Sequence, residues 1–419
     1  MKFSHKIVCV LSISLLMGWI VYSLLGVQII KAIYEGRSAS FLNNLIHGRD
    51  VHPVEFYLQM ADRIIRRICV YAVILCLWGV LLVFMERSLE TKAVFFGINL
   101  CLILIFMAEI LLHFFKFNEE PAEWKYPSHY VRRDDFGLWR AWAGKHRIFV
   151  INKKTGHSIC DVEYSVDEYG RRVTPVKERK KRDKFVLFFG CSFTFGDGVG
   201  DNQTLAFEVG KNTGQYMPYN YGFSGEGPFD ILAKIENIDF KNDVKEGNGI
   251  SIYTFIDSHI HRTIGSASLM GSKFNDIYYR ETNDGRLVRA GNFETGRPLL
   301  TTIYRILDKS KILKALRITF PMRIMEEHIK LTARTIQEMQ HQFARKYPLG
   351  TFYVLIYPSL TYGKLLIPYL NEMGIKYLDY SDLFDRRDPR FRLAKEDGHP
   401  SPLAYRIIAE RIIKDLRLE

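Results

Sequence analysis

Apolar residues are spread unevenly along this chain. Three long stretches fall in the first 117 residues: 7–30 (24 residues without a charge), 68–85 (18 residues between Arg66-Arg67 and Glu86-Arg87) and 93–115 (23 residues, interrupted only by Glu109 and His113). A hydrocarbon core about 30 Å thick needs about 20 helical residues, so each is read as a transmembrane helix. Residues 1–117 are then a helical membrane region. The first stretch is too long for the apolar part of a cleaved leader, and no small-residue cleavage site follows it cleanly. Glu109 and His113, four apart on one helix face, are assigned to the interface beside Lys116 rather than to an intramembrane polar site.

The pattern then changes twice. Residues 118–183 read as a linker: a polar and aromatic run from Trp124 to Trp142, then short alternating segments (Ile148–Ile151 and Asp161–Tyr164) around Lys154-Thr155-Gly156, a hairpin signal. From Lys184 onward, short unbroken apolar runs alternate with helical patterns. Strands are expected at Phe185–Phe189, Ser251–Ile256, Phe352–Tyr357 and Ile375–Leu378. Helices are expected at Gln203–Lys211, Pro228–Ile238, Ile324–Arg345, Lys364–Met373 and Pro402–Leu416. Buried strands alternating with helices imply an α/β unit, a parallel sheet covered on both faces, whose ligands collect at the carboxyl ends of the strands. Residues 263–322 fit no clean element and are read as an insertion over that edge.

Composition narrows the class. With 47% hydrophobic and 25% charged residues over 419 positions, the chain is not disordered. Six cysteines are too few for a disulfide scaffold. The net charge is +12, from 58 Lys+Arg against 46 Asp+Glu. The basic run Lys177, Arg179, Lys180, Lys181, Arg182 and Lys184 carries no interleaved aromatics, so it reads as a solvated linker and no nucleic-acid partner is expected. Membrane orientation is pulled two ways. Lys2 and Lys6 before an uncleaved span place the C-terminal domain outside after three spans, whereas Lys31, Arg37, Arg49, Arg63, Arg66 and Arg67 would keep the first loop in the cytoplasm.

Two short segments carry chemistry. In Phe189-Gly190-Cys191-Ser192-Phe193-Thr194-Phe195-Gly196-Asp197-Gly198, a buried strand runs into a small-residue turn, which places Ser192 at the carboxyl edge of the sheet before a helix. Such a turn serves a nucleophile or a bound anion equally. At the other end, Glu396-Asp397-Gly398-His399-Pro400 sets a carboxylate two residues before a histidine, ahead of the last helix. A serine nucleophile needs a base, and the base an orienting carboxylate. Both segments belong on loops at one sheet edge. Cys191 is read as a small apolar residue facing away from Ser192.

These segments resemble the SGNH/GDSL hydrolase family over residues 184–419. Gly190-Cys191-Ser192-Phe193-Thr194 resembles its first block, which carries the nucleophile. Asn220-Tyr221-Gly222-Phe223-Ser224-Gly225-Glu226-Gly227 resembles its second, with Gly225 the match for the oxyanion-hole glycine. Asp397-Gly398-His399-Pro400 resembles its last. The resemblance implies a flavodoxin-like three-layer fold and hydrolysis or transfer of ester-linked acyl groups by Ser192, His399 and Asp397, with Ser192 and Gly225 main-chain N–H groups in the oxyanion hole and no cofactor or metal. Two features depart from it. The third block, Phe255-Ile256-Asp257-Ser258-His259-Ile260-His261-Arg262, lacks the asparagine that donates to the oxyanion, so Ser258 or His259 would have to supply that donor. Losing one such donor typically costs about 10²–10³ in rate. The acid, often three residues before the histidine, is two before it here, and Glu396 fills the third place, so either carboxylate could orient His399. Asp257, His259 and His261 also have metal-ligand chemistry, but no further ligand accompanies them and they are read as polar loop residues.

The expected protein is a membrane-anchored serine esterase or O-acyl(acetyl)transferase of a bacterial cytoplasmic (inner) membrane. Its partners are the lipid bilayer and an acylated envelope glycan or lipid, and its soluble domain is expected outside the cytoplasm. A catalytically weak carbohydrate-binding or assembly module of a membrane complex, and a lipase or thioesterase, are the alternatives.

Overall fold

The structure is a computed structural model that describes residues 122–153 and 155–418, together with 101, 104, 105, 107–109, 111 and 112. The first two expected spans lie outside the described residues, as does most of the third. Among the described residues no helix is long and apolar enough to cross a membrane.

The chain divides into two compact units. The smaller joins the N-terminal residues to 310–316. Within it the described residues of 101–112 are helical, and the Glu109 carboxylate accepts hydrogen bonds from Ser310 Oγ (2.9 Å) and from the main-chain N–H groups of Lys311 and Ile312 (3.1 Å for the latter). Glu109 thus caps the short helix Lys311–Ala315. His113 lies outside the described residues.

The larger unit holds 119–309 and 317–419. Its frame is a five-stranded parallel sheet. Five earlier strands lead into it: β1 (Ala122–Lys125), β2 (Val131–Arg133), β3 (Trp139–Ala141), β4 (Gly144–Asn152) and β5 (Ser158–Val166). The sheet itself comprises β6 (Lys184–Phe189), β7 (Tyr216–Asn220), β8 (Asn248–Phe255), β11 (Thr351–Ile356) and β12 (Lys376–Asp379), in the order β12-β11-β8-β6-β7. Numbered within the sheet, that is the doubly wound order 2-1-3-4-5 of flavodoxin-like folds. The helices are α1 (Ser192–Phe195), α2 (Leu205–Lys211), α3 (Pro228–Asn237), α4 (Phe240–Asp243), α5 (Ser258–Ile264), α6 (Ala267–Lys273), α7 (Phe293–Gly296), α8 (Pro298–Lys309), α9 (Lys311–Ala315, in the smaller unit), α10 (Glu326–Lys346), α11 (Gly363–Glu372) and α12 (Pro402–Leu416).

Right-handed crossovers in this order put α2 on one face of the sheet and α3, α10 and α11 on the other. The helix contacts agree: α2 packs on α12, and α10 packs on α3, α5 and α11. Phe185 to Phe189 are wholly buried because β6 is central and covered on both faces, which is why its sequence is an unbroken apolar run rather than an alternating one. Burying each such ring contributes about 1.5–3 kcal/mol.

The strand β7 does not stand out in the sequence. It contains Pro218, which has no N–H for a ladder, and it lies at the sheet edge, where a proline is tolerated. That edge is covered. Residues 122–166 form an antiparallel sheet β1-β4-β5 and a β2-β3 hairpin, and Arg172 bridges Val166 on one side and Asn220 of β7 on the other. The segment read as a linker is therefore a folded layer of the larger unit. Its core, Tyr130, Ala141, Ile148, Tyr164 and Val166, packs on Phe195 and Phe223 beside the first two family-like blocks.

The insertion also has regular structure. It forms α6, the hairpin β9 (Ile277–Glu281) and β10 (Leu287–Asn292), then α7 and α8. Arg133 and Trp139 tie it to the β-rich layer by hydrogen bonds of 3.0 and 3.1 Å to Asp276. Two short strands, β13 (Arg392–Ala394) and β14 (Asp397–Pro400), pair just before α12.

Candidate active site

The site lies at the carboxyl ends of β6 and β8, the switch point where the strand order reverses and where ligands of such sheets bind. Chain geometry around Ser192 is set by Gly190. With φ of 151°, this residue brings Thr194 so close that an added Cβ would stand 2.2 Å from Thr194 Oγ1. Thr194 Oγ1 turns back to donate to Phe189 O (3.3 Å), and α1 starts at Ser192. Cys191 is fully buried within the main core, on the apolar side of the turn.

The second block runs alongside. Tyr221 N–H donates to Phe188 O (2.8 Å) and Phe223 N–H to Gly190 O (3.1 Å). Asn220 joins the two blocks: its side-chain amide donates to Thr194 O (3.0 Å) and Phe195 O (3.2 Å), and its carbonyl oxygen accepts from Gly222 N–H (3.1 Å). Gly225, with φ of 80°, occupies the third position of the turn closed by Glu226 N–H on Phe223 O (3.2 Å). Three cations hold this turn from behind. Lys234 donates to Tyr221 O (2.7 Å) and Glu226 (2.6 Å), Lys273 to Gly225 O (2.7 Å), and Arg262 to Glu226 O (2.7 Å). Among the described residues, neither the Ser192 nor the Gly225 main-chain N–H has a protein acceptor.

The last block is extended. Residues two apart on a strand point to the same side, so Asp397 and His399 share a face of β14, while Glu396 lies in the turn before that strand. Asp397 Oδ1 accepts from the His399 main-chain N–H (2.8 Å) and lies 2.6 Å from His399 Nδ1. Among the described residues Glu396 forms no hydrogen bond with His399. The strand β14 packs against α1, and the Phe193 and His399 rings lie 5.5 Å apart. Ser192 Oγ and His399 Nε2 have no hydrogen-bond partner among the described residues, whose bonds to His399 are those of its Nδ1 and main-chain N–H with Asp397.

Burial alone would lower the His399 pKa. The Asp397 hydrogen bond and the charges of Asp197 and Asp397 outweigh it and raise that pKa above its usual value, while Arg262 opposes them. Burial would lift Asp397, but its hydrogen bonds with His399 and Trp124 hold it low. Asp197, which the sequence reading passed over, is a buried carboxylate accepting from Ser224 Oγ (2.8 and 2.7 Å); its pKa is raised by desolvation.

The third block behaves differently from its sequence suggestion. Asp257 accepts from the main-chain N–H groups of Thr361 (2.7 Å) and Tyr362 (2.9 Å), so it ties down the start of α11. His259 is fully buried, with Nδ1 2.6 Å from the Tyr253 hydroxyl and its ring stacked on Tyr253; burial drives its pKa far down and keeps it neutral. His261 pairs with Ser266 Oγ (2.9 Å). Each side chain is engaged in a different direction, and among the described residues no cluster suited to a metal forms. Ser258 begins α5 on the loop after β8, and its hydroxyl has no protein partner among the described residues.

No family model matches the chain, and no curated relative does. Solved structures are similar to it. A member of the lipolytic protein G-D-S-L family from Veillonella parvula is 14% identical, covering 55% of this chain and 97% of that one at a TM-score of 0.33. An acetyl xylan esterase from Butyrivibrio proteoclasticus is 10% identical, covering 57% and 66% at 0.31. A family two carbohydrate esterase from Clostridium thermocellum, in complex with cellohexaose, is 10% identical, covering 71% and 100% at 0.33. By their own descriptions, the proteins to which this structure is similar are lipolytic G-D-S-L proteins and carbohydrate esterases.

Proposed function

We propose that this chain is an SGNH-type serine esterase or O-acyltransferase, anchored by the apolar segments 7–30, 68–85 and 93–115, and that its substrate is an ester of an envelope carbohydrate or lipid. The observation that carries the reading is the Asp397–His399 pair, 2.6 Å from carboxylate to Nδ1, on a strand packed against the helix that Ser192 begins. In this mechanism Ser192 Oγ attacks the ester carbonyl and passes its proton to His399 Nε2, while Asp397 holds the imidazole in the tautomer with Nδ1 protonated. The Ser192 and Gly225 N–H groups face the tetrahedral oxyanion. Its collapse breaks the ester C–O bond, the leaving alkoxide takes the proton from His399, and an acyl-serine remains. Water or an acceptor hydroxyl, deprotonated by the same histidine, then releases the acyl group.

Fluorophosphonate labelling of the full-length chain, wild type beside Ser192→Ala, tests this reading. Label mapped to Ser192 and lost in the variant is the expected result. A folded chain that takes no label would instead favour a carbohydrate-binding or assembly module, the reading to which the missing third-block asparagine points.

A further inference from the structure

Asp397 has two carboxylate oxygens, and His399 occupies only one of them. Oδ1 takes both the main-chain N–H and the ring Nδ1 of His399. Oδ2 accepts from Trp124 Nε1 at 3.0 Å, across 273 positions of sequence. The indole also stands edge-on to the His399 ring, with centroids 5.2 Å apart at 72°. Trp124 is itself held from two sides: β1 pairs with β4 in a register that sets Trp124 opposite Val150, and its ring stacks on Tyr126, which stacks in turn on the buried Tyr130.

We propose that Trp124 is a positioning residue of the reaction described above, its indole N–H fixing Asp397 so that Oδ1 stays on His399 Nδ1. A carboxylate bonded at one oxygen only can rotate about its Cβ–Cγ bond and loosen the imidazole; one bonded at both oxygens cannot. The site is then incomplete without residues 122–166, although the family-like blocks all lie within 184–419. Trp124 reaches the site through Asp397, not through substrate, so its removal should lower kcat and leave KM nearly unchanged.

The test compares Trp124→Phe, which keeps the ring and removes the donor, with wild type in the full-length chain. It runs in both the native and the Asp397→Asn background. The expected result is about a tenfold lower Ser192 labelling rate in the native background and no further loss on top of Asp397→Asn, since the indole acts through that carboxylate. Equal, additive losses in both backgrounds, or an unchanged rate, would overturn the proposal. A second readout is independent of any chemistry at Ser192. The His399 imidazole, followed by NMR with labelled histidine, should titrate at lower pH in Trp124→Phe because its Asp397 bond is loosened. An unmoved titration overturns the positioning role even if wild type takes no label, whereas absence of labelling with a moved titration refutes the proposed activity alone.

Discussion

Replacing Arg172 by methionine should destabilise the larger unit by about 3–5 kcal/mol, the cost typical of removing one partner from a buried ionic network. The guanidinium is wholly inaccessible, and each of its three nitrogens has a partner. Nε donates to Asp201 Oδ1 (2.7 Å), one terminal nitrogen to Gly196 O (3.1 Å) and the other to Val199 O (2.7 Å), while its plane lies 3.8 Å over the Tyr164 ring. Asp201 keeps the Ser165 N–H (3.1 Å) and some exposure, so it can rehydrate. Gly196 O keeps the Val199 N–H (3.3 Å), but Val199 O loses its Arg172 donor, and leaving a buried acceptor unpaired costs about 1–3 kcal/mol beside the loss at Asp201. Those terms couple and do not simply add. At about 2–3 °C per kcal/mol for a unit of this size, the midpoint should fall by roughly 6–15 °C. Arg172→Lys should lose less, since an ammonium can pair with Asp201 but cannot fork to both carbonyls. Thermal unfolding of the full-length variants, followed by tryptophan fluorescence, supplies the numbers. A loss below about 1 kcal/mol for Arg172→Met would show that these bonds do not hold the loop after α1, and that the β-rich layer is not joined to the nucleophile turn as argued.

Other outcomes follow from the same geometry. Asp397→Asn should cut Ser192 reactivity by several orders of magnitude while Glu396→Gln leaves it within about twofold, since only Asp397 meets His399; a larger loss for Glu396→Gln would reassign the acid. The base must be neutral to accept a proton, and the pKa of His399 is raised, so reactivity should fall as pH drops through a midpoint above 6.5. Asp397 and Asp197 lift that midpoint and Arg262 lowers it, so Asp197→Asn should move the acid limb to lower pH. A wild-type limb at or below 6.5, read from labelling rate against pH, contradicts this electrostatic picture.

The parts of the fold that were legible in the sequence are those whose burial is uniform. Strands covered on both faces favour apolar residues, so Phe185–Phe189 and Phe352–Ile356 announce themselves, although the middle strand β8 also buries Ser251 and Thr254. The strand Tyr216–Asn220 does not, because an edge strand with one ladder partner can hold Pro218 and still pair with β6. The layer 122–166 was legible only in part. Its hairpin, β4 and β5 of nine residues each, shows as alternation, but β1 to β3 have only four, three and three residues, and what joins the layer to the sheet is Arg172 bridging Val166 to Asn220, a pairing between distant residues. The insertion's hairpin and helices likewise depend on contacts such as Arg133 with Asp276, which no local periodicity encodes.

The same distinction explains the site. Ser192 and the Asp397–His399 pair are readable because each is set by a few adjacent residues: a glycine that clears space for Thr194 in one case, an extended tripeptide in the other. The two-residue spacing, which in the sequence left Glu396 and Asp397 as rivals, becomes selective once Asp397 to Pro400 form a strand, since alternation puts Asp397 on the side of His399 while Glu396 stays in the preceding turn. The third block shows the limit of residue type as a guide. Asp257 offers a charge that would oppose an oxyanion, yet it is spent on two amide groups at the start of α11, and His259, chemically able to donate, is turned onto Tyr253 and held neutral. In the proposed mechanism the oxyanion faces the Ser192 and Gly225 N–H groups, with the Ser258 hydroxyl as the remaining side-chain candidate, and Lys273 and Arg262 bond the carbonyls of the turn that carries Gly225. On that proposal, cations on those carbonyls polarise and fix the turn, so a site lacking the side-chain amide can still present a rigid, oriented dipole to the developing charge.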